Sequence, residues 1–242
     1  MPSPRDLVAV GAGVALRPFG FEVRDRILNE KPEGFPGYLE AARQLGMDVN
    51  DYEEQRLQWR PPLPTLERTL FPVITPSSSV CEIGPGTGRW SRVILERLAA
   101  DSCLHLVDYS PWLVRFLASY FADRPNVQVH VTDGVSLPLP PDTVDAIFSA
   151  NTFVELTLGV LDLYVADFAR VLRPGGHAVI DYVDPLSDEG WQQLRTQPLD
   201  MARVFTFHAG AVIDRVFAQH GFRIDDRYMV GRSTFVIAQK LA

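Results

Sequence analysis

Three glycines between a short apolar stretch and an amphipathic one carry the clearest chemical pattern in this 242-residue chain. Residues 80–83 predict a buried strand that contains an acid, Glu82. Gly84, Gly86 and Gly88 then follow at alternate positions. The apolar residues after Gly88 recur with the spacing of one helix face, so a helix begins there. Glycine lets a backbone approach a ligand closely, and a helix N-terminus offers free N–H groups. The stretch therefore predicts a nucleotide-type site.

The residues around the glycines indicate which nucleotide the site takes. A dinucleotide fingerprint has its third glycine five residues after the first, where this chain has Arg89. Glu82 is a poor neighbour for a pyrophosphate and a good acceptor for an ammonium group. The pattern Glu-x-Gly-x-Gly-x-Gly resembles motif I of the class I S-adenosylmethionine-dependent methyltransferases, whose loop wraps the methionyl and ribose parts of the cofactor. A glycine turn without a ligand is the alternative, and the downstream spacing disfavours it.

Acids and amides at the ends of later strands extend the resemblance. The resemblance implies that Asp108 accepts from both ribose hydroxyls and that Tyr109 flanks the adenine. It also implies that Asp133 accepts from the adenine amino group, with Gly134 supplying a nearby backbone N–H. Asn151 falls where the family lays the methionyl arm. For each acid alone, a solvated turn carboxylate is the commoner interpretation. Three acids at three successive strand ends make that explanation poor for the set.

Strands and helices that alternate along the chain must position these residues. Strands are predicted over residues 80–83, 103–107, 126–131, 145–149 and 177–182, with helical patterns between them. This alternation predicts a parallel, doubly wound sheet. Two further strands, 222–230 and 233–239, have only two residues between them, which requires an antiparallel pair. The predicted fold is α/β: a doubly wound, mostly parallel seven-stranded sheet with a C-terminal antiparallel hairpin and a helical N-terminal cap, as in the methyltransferase family.

The first 70 residues match no family pattern and are predicted to be a helical extension or lid. Residues 71–242 would then form the S-adenosylmethionine-binding domain. Helices are predicted over residues 37–45 and 51–59, with a further one from 64 to 70. Residues 8–13 imitate a strand and glycine turn, but Arg17-Pro18 disrupts the helix that should follow.

Aromatic residues of this extension have two interpretations. Tyr38, Tyr52 and Trp59, together with Arg60, could line a lid over the substrate. Alternatively, the aromatic rings pack the extension against the sheet.

A catalytic base is needed only if the methyl acceptor must lose a proton, because displacement at a sulfonium neutralises the positive charge. The candidates at the upper edge of the sheet are His208, Glu155, Tyr182 and Asp184. We select His208, since its unperturbed pKa suits a base near neutrality. The alternative is a structural histidine at a helix start or on the surface.

Composition limits the partners and the compartment. Net charge is −7, with no run of basic residues, so a nucleic-acid partner is not expected. The longest apolar runs fall far short of the roughly 18 residues of a membrane span, and no signal peptide is recognisable. The only two cysteines, Cys81 and Cys103, fall in predicted buried strands, which favours a reducing cytoplasm.

The predicted function is transfer of a methyl group from S-adenosylmethionine to an oxygen or nitrogen of a small molecule. Residues 149–153 lack the Asn/Asp-Pro-Pro-Tyr sequence of enzymes that methylate amino groups of nucleic acids or glutamine. The alternatives are an NAD-dependent oxidoreductase, which Arg89 disfavours, and a non-catalytic cofactor-binding module of the same fold. A metal-assisted variant would use Asp181, Asp184 and His208, although no metal is expected. The sequence leaves the acceptor and the oligomeric state open.

Overall fold

The computed structural model describes residues 35–197 and 205–241 of the chain. The strands within these ranges are β1 (Ser79–Ile83), β2 (Cys103–Asp108), β3 (Val127–Val131), β4 (Val144–Ser149), β5 (Leu172–Tyr182), β6 (Phe222–Val230) and β7 (Ser233–Lys240). The α-helices are α1 (Phe35–Gln44), α2 (Val49–Gln55), α3 (Leu63–Arg68), α4 (Arg89–Arg97), α5 (Pro111–Tyr120), α6 (Leu158–Val171), α7 (Asp188–Thr196) and α8 (Gly210–Gln219). Short 3₁₀ turns cover Phe71–Val73 and Phe153–Glu155.

The seven strands form one sheet in the order β3-β2-β1-β4-β5-β7-β6. Strands β1 to β5 run parallel, whereas β7 pairs antiparallel with both β5 and β6. The predicted α/β fold class, including the C-terminal hairpin, is confirmed. The strand order reverses between β1 and β4, and ligands of open α/β sheets bind outside the carboxyl ends of the strands at such a point.

Strand register brings the predicted site residues to one edge. Ile83 lies opposite Val107 and Asp108 lies opposite Val131. The chain leaves β1 directly beside β2, since Gly84 N–H donates to the Val107 carbonyl at 2.9 Å. The glycine loop and Asp108 are therefore neighbours by construction of the sheet.

Both faces of the sheet are covered by apolar side chains. Phe168 of α6 and Phe217 of α8 are fully buried in the core on one face. Ile94 of α4 and Leu117 of α5 are fully buried on the other. The alternation of helices along the chain thus closes a core on each side, as a doubly wound sheet requires.

Several element boundaries differ from the sequence prediction. Helix α2 ends at Gln55 instead of Trp59, and Gln58 has φ +56, which helix geometry does not allow. Strand β5 begins at Leu172, and a register shift against β4 accommodates the turn with Gly175 at φ +79. Helix α7 was not predicted. Cys81 is buried as expected, but Cys103 is only partly buried, because it opens its strand.

The glycine-containing stretch at residues 8–13 lies outside the described residues. None of the helices that the structure describes is both long enough and apolar enough to cross a bilayer.

Candidate functional site

The glycine loop depends on backbone conformations that favour glycine. Gly84, Gly86 and Gly88 have φ values of +67, +58 and +87. A Cβ on Gly84 would lie 2.0 Å from Oγ1 of Thr152, which follows β4. A Cβ on Gly88 would lie 2.9 Å from the Phe121 ring. The loop is therefore enclosed between the exit of β4 and the end of α5, with no space for a side chain at Gly84 or Gly88.

Glu82 is buried directly before this loop. It is 1% exposed, and its Oε2 accepts a hydrogen bond from the Ser91 hydroxyl at 2.5 Å. Burial raises the pKa of Glu82 to about 7, although the Ser91 hydroxyl and the Arg89 charge oppose the shift. A carboxyl group with this pKa changes charge near neutrality and lies one residue from the turn.

Asp108 ends β2 and is almost completely buried, at 4% exposure. Its Oδ1 accepts from the Ser110 N–H at 2.8 Å, and the Ser110 hydroxyl in turn accepts from Leu113 N–H and caps α5. These bonds fix the carboxylate at the edge of the sheet. Tyr109, the next residue, is partly buried. The structure thus places both predicted residues at the end of the strand next to β1.

Asp133 lies one strand further out and is held by its own turn. The carboxylate is exposed, and Oδ1 accepts from the N–H groups of Val135 and Ser136 at 3.0 and 2.8 Å. Slight burial opposes the effect, but these hydrogen bonds lower the pKa of Asp133 below its usual value. Gly134 N–H donates to Thr132 Oγ1 at 3.1 Å. In this conformation the Asp133 carboxylate and the Gly134 N–H make hydrogen bonds within the turn. Their contacts with adenine therefore remain a prediction.

Asn151 follows β4 in the left-handed region, with φ +62. Its N–H donates to Asp181 Oδ1 at 2.8 Å, and Asp181 is 1% exposed near the end of β5. The neighbouring Thr152 approaches Gly84 as described above. Asp181 therefore fixes the loop that encloses the glycine turn, a role that no sequence pattern signalled.

The N-terminal extension contacts the glycine loop through Thr87. The Thr87 hydroxyl lies 2.9 Å from Asn50 Oδ1 and 2.8 Å from Glu53 Oε1, and all three side chains are buried. One hydroxyl has a single hydrogen for two acceptors, so a protonated Glu53 completes the set. Burial raises the pKa of Glu53 to about 7, against the Thr87 hydrogen bond and the Arg89 charge. Phe35 of α1 contributes as well, since its ring would lie 3.2 Å from a Cβ on Gly86.

Arg89 and Arg92 extend this contact along α4. Arg89 is 7% exposed and donates to the Arg60 carbonyl at 2.6 Å, with Glu53 Oε2 at 3.8 Å. Arg92 donates to Asp51 at 2.7 Å and to Glu54 at 3.1 Å. The residue that breaks the dinucleotide fingerprint thus anchors the extension. Sequence reasoning missed these pairs because the partners lie about 30 to 40 residues upstream.

The aromatic residues of the extension pack mainly against one another. The Tyr38 ring centroid lies 5.9 Å from that of Trp59 and 6.4 Å from that of Tyr52. These contacts lie within the extension itself, so both interpretations of the rings, lining of a lid and packing against the sheet, stay predictions.

His208 lies at the same edge of the sheet, 7% exposed. Its backbone N–H donates to the Val183 carbonyl at 2.9 Å. Its Nε2 lies 3.1 Å from the Leu156 carbonyl, an acceptor, so Nε2 carries the hydrogen and Nδ1 is the basic nitrogen. Burial lowers the pKa of His208, although the Leu156 carbonyl opposes the shift. The imidazole is therefore neutral at pH 7.

The metal-assisted alternative finds no support in residues 35–197 and 205–241. In these ranges no three His, Cys, Asp or Glu side chains are grouped as a metal ion would require. Both oxygens of Asp184 accept from backbone N–H groups, those of Leu186 and Gly210.

The fold and the glycine loop define a class of protein: an α/β protein with a nucleotide-type site at the strand-order reversal, bordered by buried acids. Residues 80–176 match the model of a methyltransferase domain family. This range includes the glycine loop, the three strand-end acids and Asn151.

Relatives agree with this match. Malonyl-[acyl-carrier protein] O-methyltransferase of Methylococcus capsulatus is 34% identical over 42% of this chain and 36% of its own length. An uncharacterized methyltransferase of Geobacillus thermodenitrificans is 26% identical over 76% of this chain and 86% of its own. The structure of an S-adenosylmethionine-dependent methyltransferase from Aquifex aeolicus has the same fold, with a TM-score of 0.60 and 21% sequence identity. The likeness covers 77% of this chain and 93% of that one. Residues 80–176 are thus similar to a methyltransferase domain, and the fold is that of class I S-adenosylmethionine-dependent methyltransferases.

The donor set of the site fits the cofactor of that family. Acids end β1 and β2, and residues 84–88 contain no cation. The adjacent Arg89 is directed to Glu53 and the Arg60 carbonyl. Buried carboxylates suit a ligand with an ammonium, a sulfonium and ribose hydroxyls, whereas a pyrophosphate would bring further negative charge. S-adenosylmethionine supplies a methyl group on a positively charged sulfur.

Proposed function

We propose that this chain transfers the methyl group of S-adenosylmethionine to an oxygen or nitrogen of a small molecule. The observation that carries the proposal is the placement of buried Glu82 and Asp108 on two neighbouring strands beside the glycine loop at the strand-order reversal. In this proposal Glu82 accepts from the ammonium group, Asp108 from the ribose hydroxyls, and Asn151 borders the methionyl arm. Tyr109, Asp133 and Gly134 contact the adenine.

The extension acts in this proposal as the cover of the cofactor site. Its helices contact the loop through Phe35, Asn50 and Glu53. A cover excludes water, which strengthens electrostatic interactions in the site. It also holds the acceptor in line with the methyl group. Residues 1–70 and 71–242 are thus proposed as lid and cofactor-binding domain.

A small-molecule acceptor is supported by charge and by one relative's name. The net charge of −7 disfavours a nucleic-acid partner. The relative from Methylococcus capsulatus is named for O-methylation of malonyl-[acyl-carrier protein], a malonyl group held on a carrier protein. We extend this to a small polar acceptor for the present chain.

Cofactor binding tests the proposal directly, through calorimetric titration of the full chain with S-adenosylhomocysteine, the demethylated product. We expect saturable one-to-one binding. Asp108→Ala removes the ribose acceptor and should weaken binding at least tenfold, which corresponds to about 1.4 kcal/mol. Asp123→Ala, an exposed acid after α5, is the matched control and should bind like the native chain. Absence of heat with the native chain would remove the proposal.

His208 is proposed as the general base, acting through Nδ1 on an acceptor that loses a proton. Its lowered pKa favours the neutral ring, the form that accepts a proton. His208→Gln should therefore reduce kcat by about 100-fold or more while leaving S-adenosylhomocysteine affinity within threefold. A native kcat in this variant across pH 6 to 8 would exclude the role.

A further inference from the structure

The start of β7 lies at the edge of the sheet where the glycine loop and the end of β5 lie. Because β7 runs antiparallel to β5, it begins where β5 ends, with Thr234 opposite Tyr182 and Phe235 opposite Asp181. The preceding residues, Arg232 and Ser233, therefore lie beside the end of β5. The hairpin turn thus contributes side chains to the edge that carries the glycine loop.

Asp181 has a buried oxygen that is not satisfied. The side chain is 1% exposed, and Oδ1 accepts from Asn151 N–H. Oδ2 finds no hydrogen-bond partner within the described ranges. Burial raises the pKa of Asp181 to about 6, while Ser233, Asn151 and the charge of Arg232 oppose the shift. Buried carboxylate oxygens rarely remain unpaired, so a partner from outside these residues is expected.

Arg232 has a buried hydrogen-bond donor that is not satisfied. Its Nε is buried and, among the residues that the structure describes, has no acceptor. The guanidinium lies 4.4 Å from the centroid of the Phe205 ring, which fixes its plane. The Arg60 guanidinium lies 3.6 Å from the position of a Cβ on Gly231, so the extension reaches the same turn. An orphan donor and an orphan acceptor therefore lie at one edge, under the extension.

We infer that Asp181 Oδ2 and Arg232 Nε form a two-point subsite that binds a neutral hydroxyl group of the methyl acceptor. A hydroxyl donates to the carboxylate oxygen and accepts from the guanidinium N–H at the same time. The opposite charges of Asp181 and Arg232 balance each other around a neutral hydroxyl, whereas a carboxylate or an ammonium ligand would add a net charge to this buried site. The inference rests on the proposed function, because it assigns the acceptor side of the same site.

The experiment uses the full chain saturated with S-adenosylhomocysteine and four probes of similar size. Benzyl alcohol, benzyl methyl ether, benzoate and benzylamine are titrated by ligand-observed NMR. We expect benzyl alcohol to bind at least fivefold more tightly than the other three. Equal affinity for the four probes would overturn the inference.

Two variants and two controls assign the selectivity to the subsite. Asp181→Asn keeps an oxygen for Asn151 N–H and turns the second position into a donor, and Arg232→Met removes the other donor. Each should weaken benzyl alcohol binding at least fivefold, whereas Asp123→Asn and Arg223→Met, both exposed, should not. Unchanged binding in both subsite variants would show that the orphan atoms hold water only.

A second readout separates this inference from the proposed function. Calorimetry with S-adenosylhomocysteine is run on Arg232→Met, which changes no residue proposed to contact or position the cofactor and should stay within threefold of the native affinity. Failure of the native chain to bind S-adenosylhomocysteine would remove the proposed function. Native cofactor binding without probe selectivity would remove the hydroxyl subsite alone. Arg232→Met keeps the test decisive if melting shows that Asp181→Asn does not fold, because Arg232 is only partly buried.

Discussion

Individual residues at the glycine turn combine a buried carboxyl group with a backbone that leaves no room for a Cβ. Glu82 is a buried acid that accepts a hydrogen bond from Ser91, and a Cβ added to Gly84 would clash with Thr152. A buried carboxylate costs stability unless a partner compensates for it. A positively charged ligand that approaches the loop backbone would use both features, which is why they are informative about function.

Glu82 should make cofactor binding depend on pH. Its pKa of about 7 means that the carboxylate is mostly protonated at pH 6 and mostly ionised at pH 8. The ammonium group of the cofactor is attracted to the ionised form, so the affinity for S-adenosylhomocysteine should rise by up to about tenfold from pH 6 to pH 8. Calorimetry across this range measures the slope.

Glu82→Gln should flatten this dependence. Glu53→Gln is the matched control, since Glu53 is the other buried acid with a pKa of about 7, and it should retain a slope. A flat native profile, or a slope that survives in Glu82→Gln, would contradict the role assigned to Glu82.

Gly84→Ala should lower the free energy of unfolding by more than the conformational cost of placing alanine at positive φ. Gly84 and Gly221 both have positive φ, +67 and +79, but a Cβ on Gly221 meets nothing within 4 Å. Gly221→Ala therefore reports the conformational cost, about 1–2 kcal/mol. Gly84→Ala adds the clash with Thr152 and should cost about 1–3 kcal/mol more in denaturant unfolding. Equal costs for the two variants would mean that the loop has space for side chains.

Helix α2 is the element that connects the extension to the site. It begins at the Asp48 cap, whose side chain accepts from Asn50 N–H, and it presents Asn50 and Glu53 to Thr87. Asp51 and Glu54 bind Arg92 of α4. The short helix thus gains its stability from tertiary contacts, as expected for a segment of only seven residues.

Thr87→Val should loosen the extension without changing the shape of the loop. The substitution leaves Asn50 Oδ1 and Glu53 Oε1 without the hydroxyl, at a cost of about 1–3 kcal/mol for unsatisfied buried groups. Limited proteolysis within residues 35–70 should therefore accelerate about tenfold or more. Thr196→Val, on the exposed end of α7, is the control and should be cleaved at the native rate. Native protection of the extension in Thr87→Val would exclude Thr87 as its anchor.

Elements with strong local patterns were predicted from the sequence, and elements defined by distant partners were not. Ser110 and Pro111 predicted the start of α5, where Ser110 is the cap. Helix α7 was missed because its apolar residues Trp191 and Leu194 are few and remain exposed, so no buried face marks it.

The whole molecule places one edge of a seven-stranded sheet under a helical extension. The extension reaches the glycine loop through α2 and reaches the hairpin turn through Arg60. Periodicity predicted the sheet, the hairpin and the edge that holds the acids. The pairing of Thr87 with α2, and of Asp181 with Asn151, depends on side chains that meet only after folding. No local spacing signals such pairs.

A crystal structure of the full chain grown with S-adenosylhomocysteine tests the central claim most directly. The account predicts the ligand over residues 84–88, with its ribose hydroxyls at Asp108 and its ammonium group on the side of Glu82. A dinucleotide retained over the same loop, or a ligand bound elsewhere with Phe35 filling the space above Gly86, would contradict it.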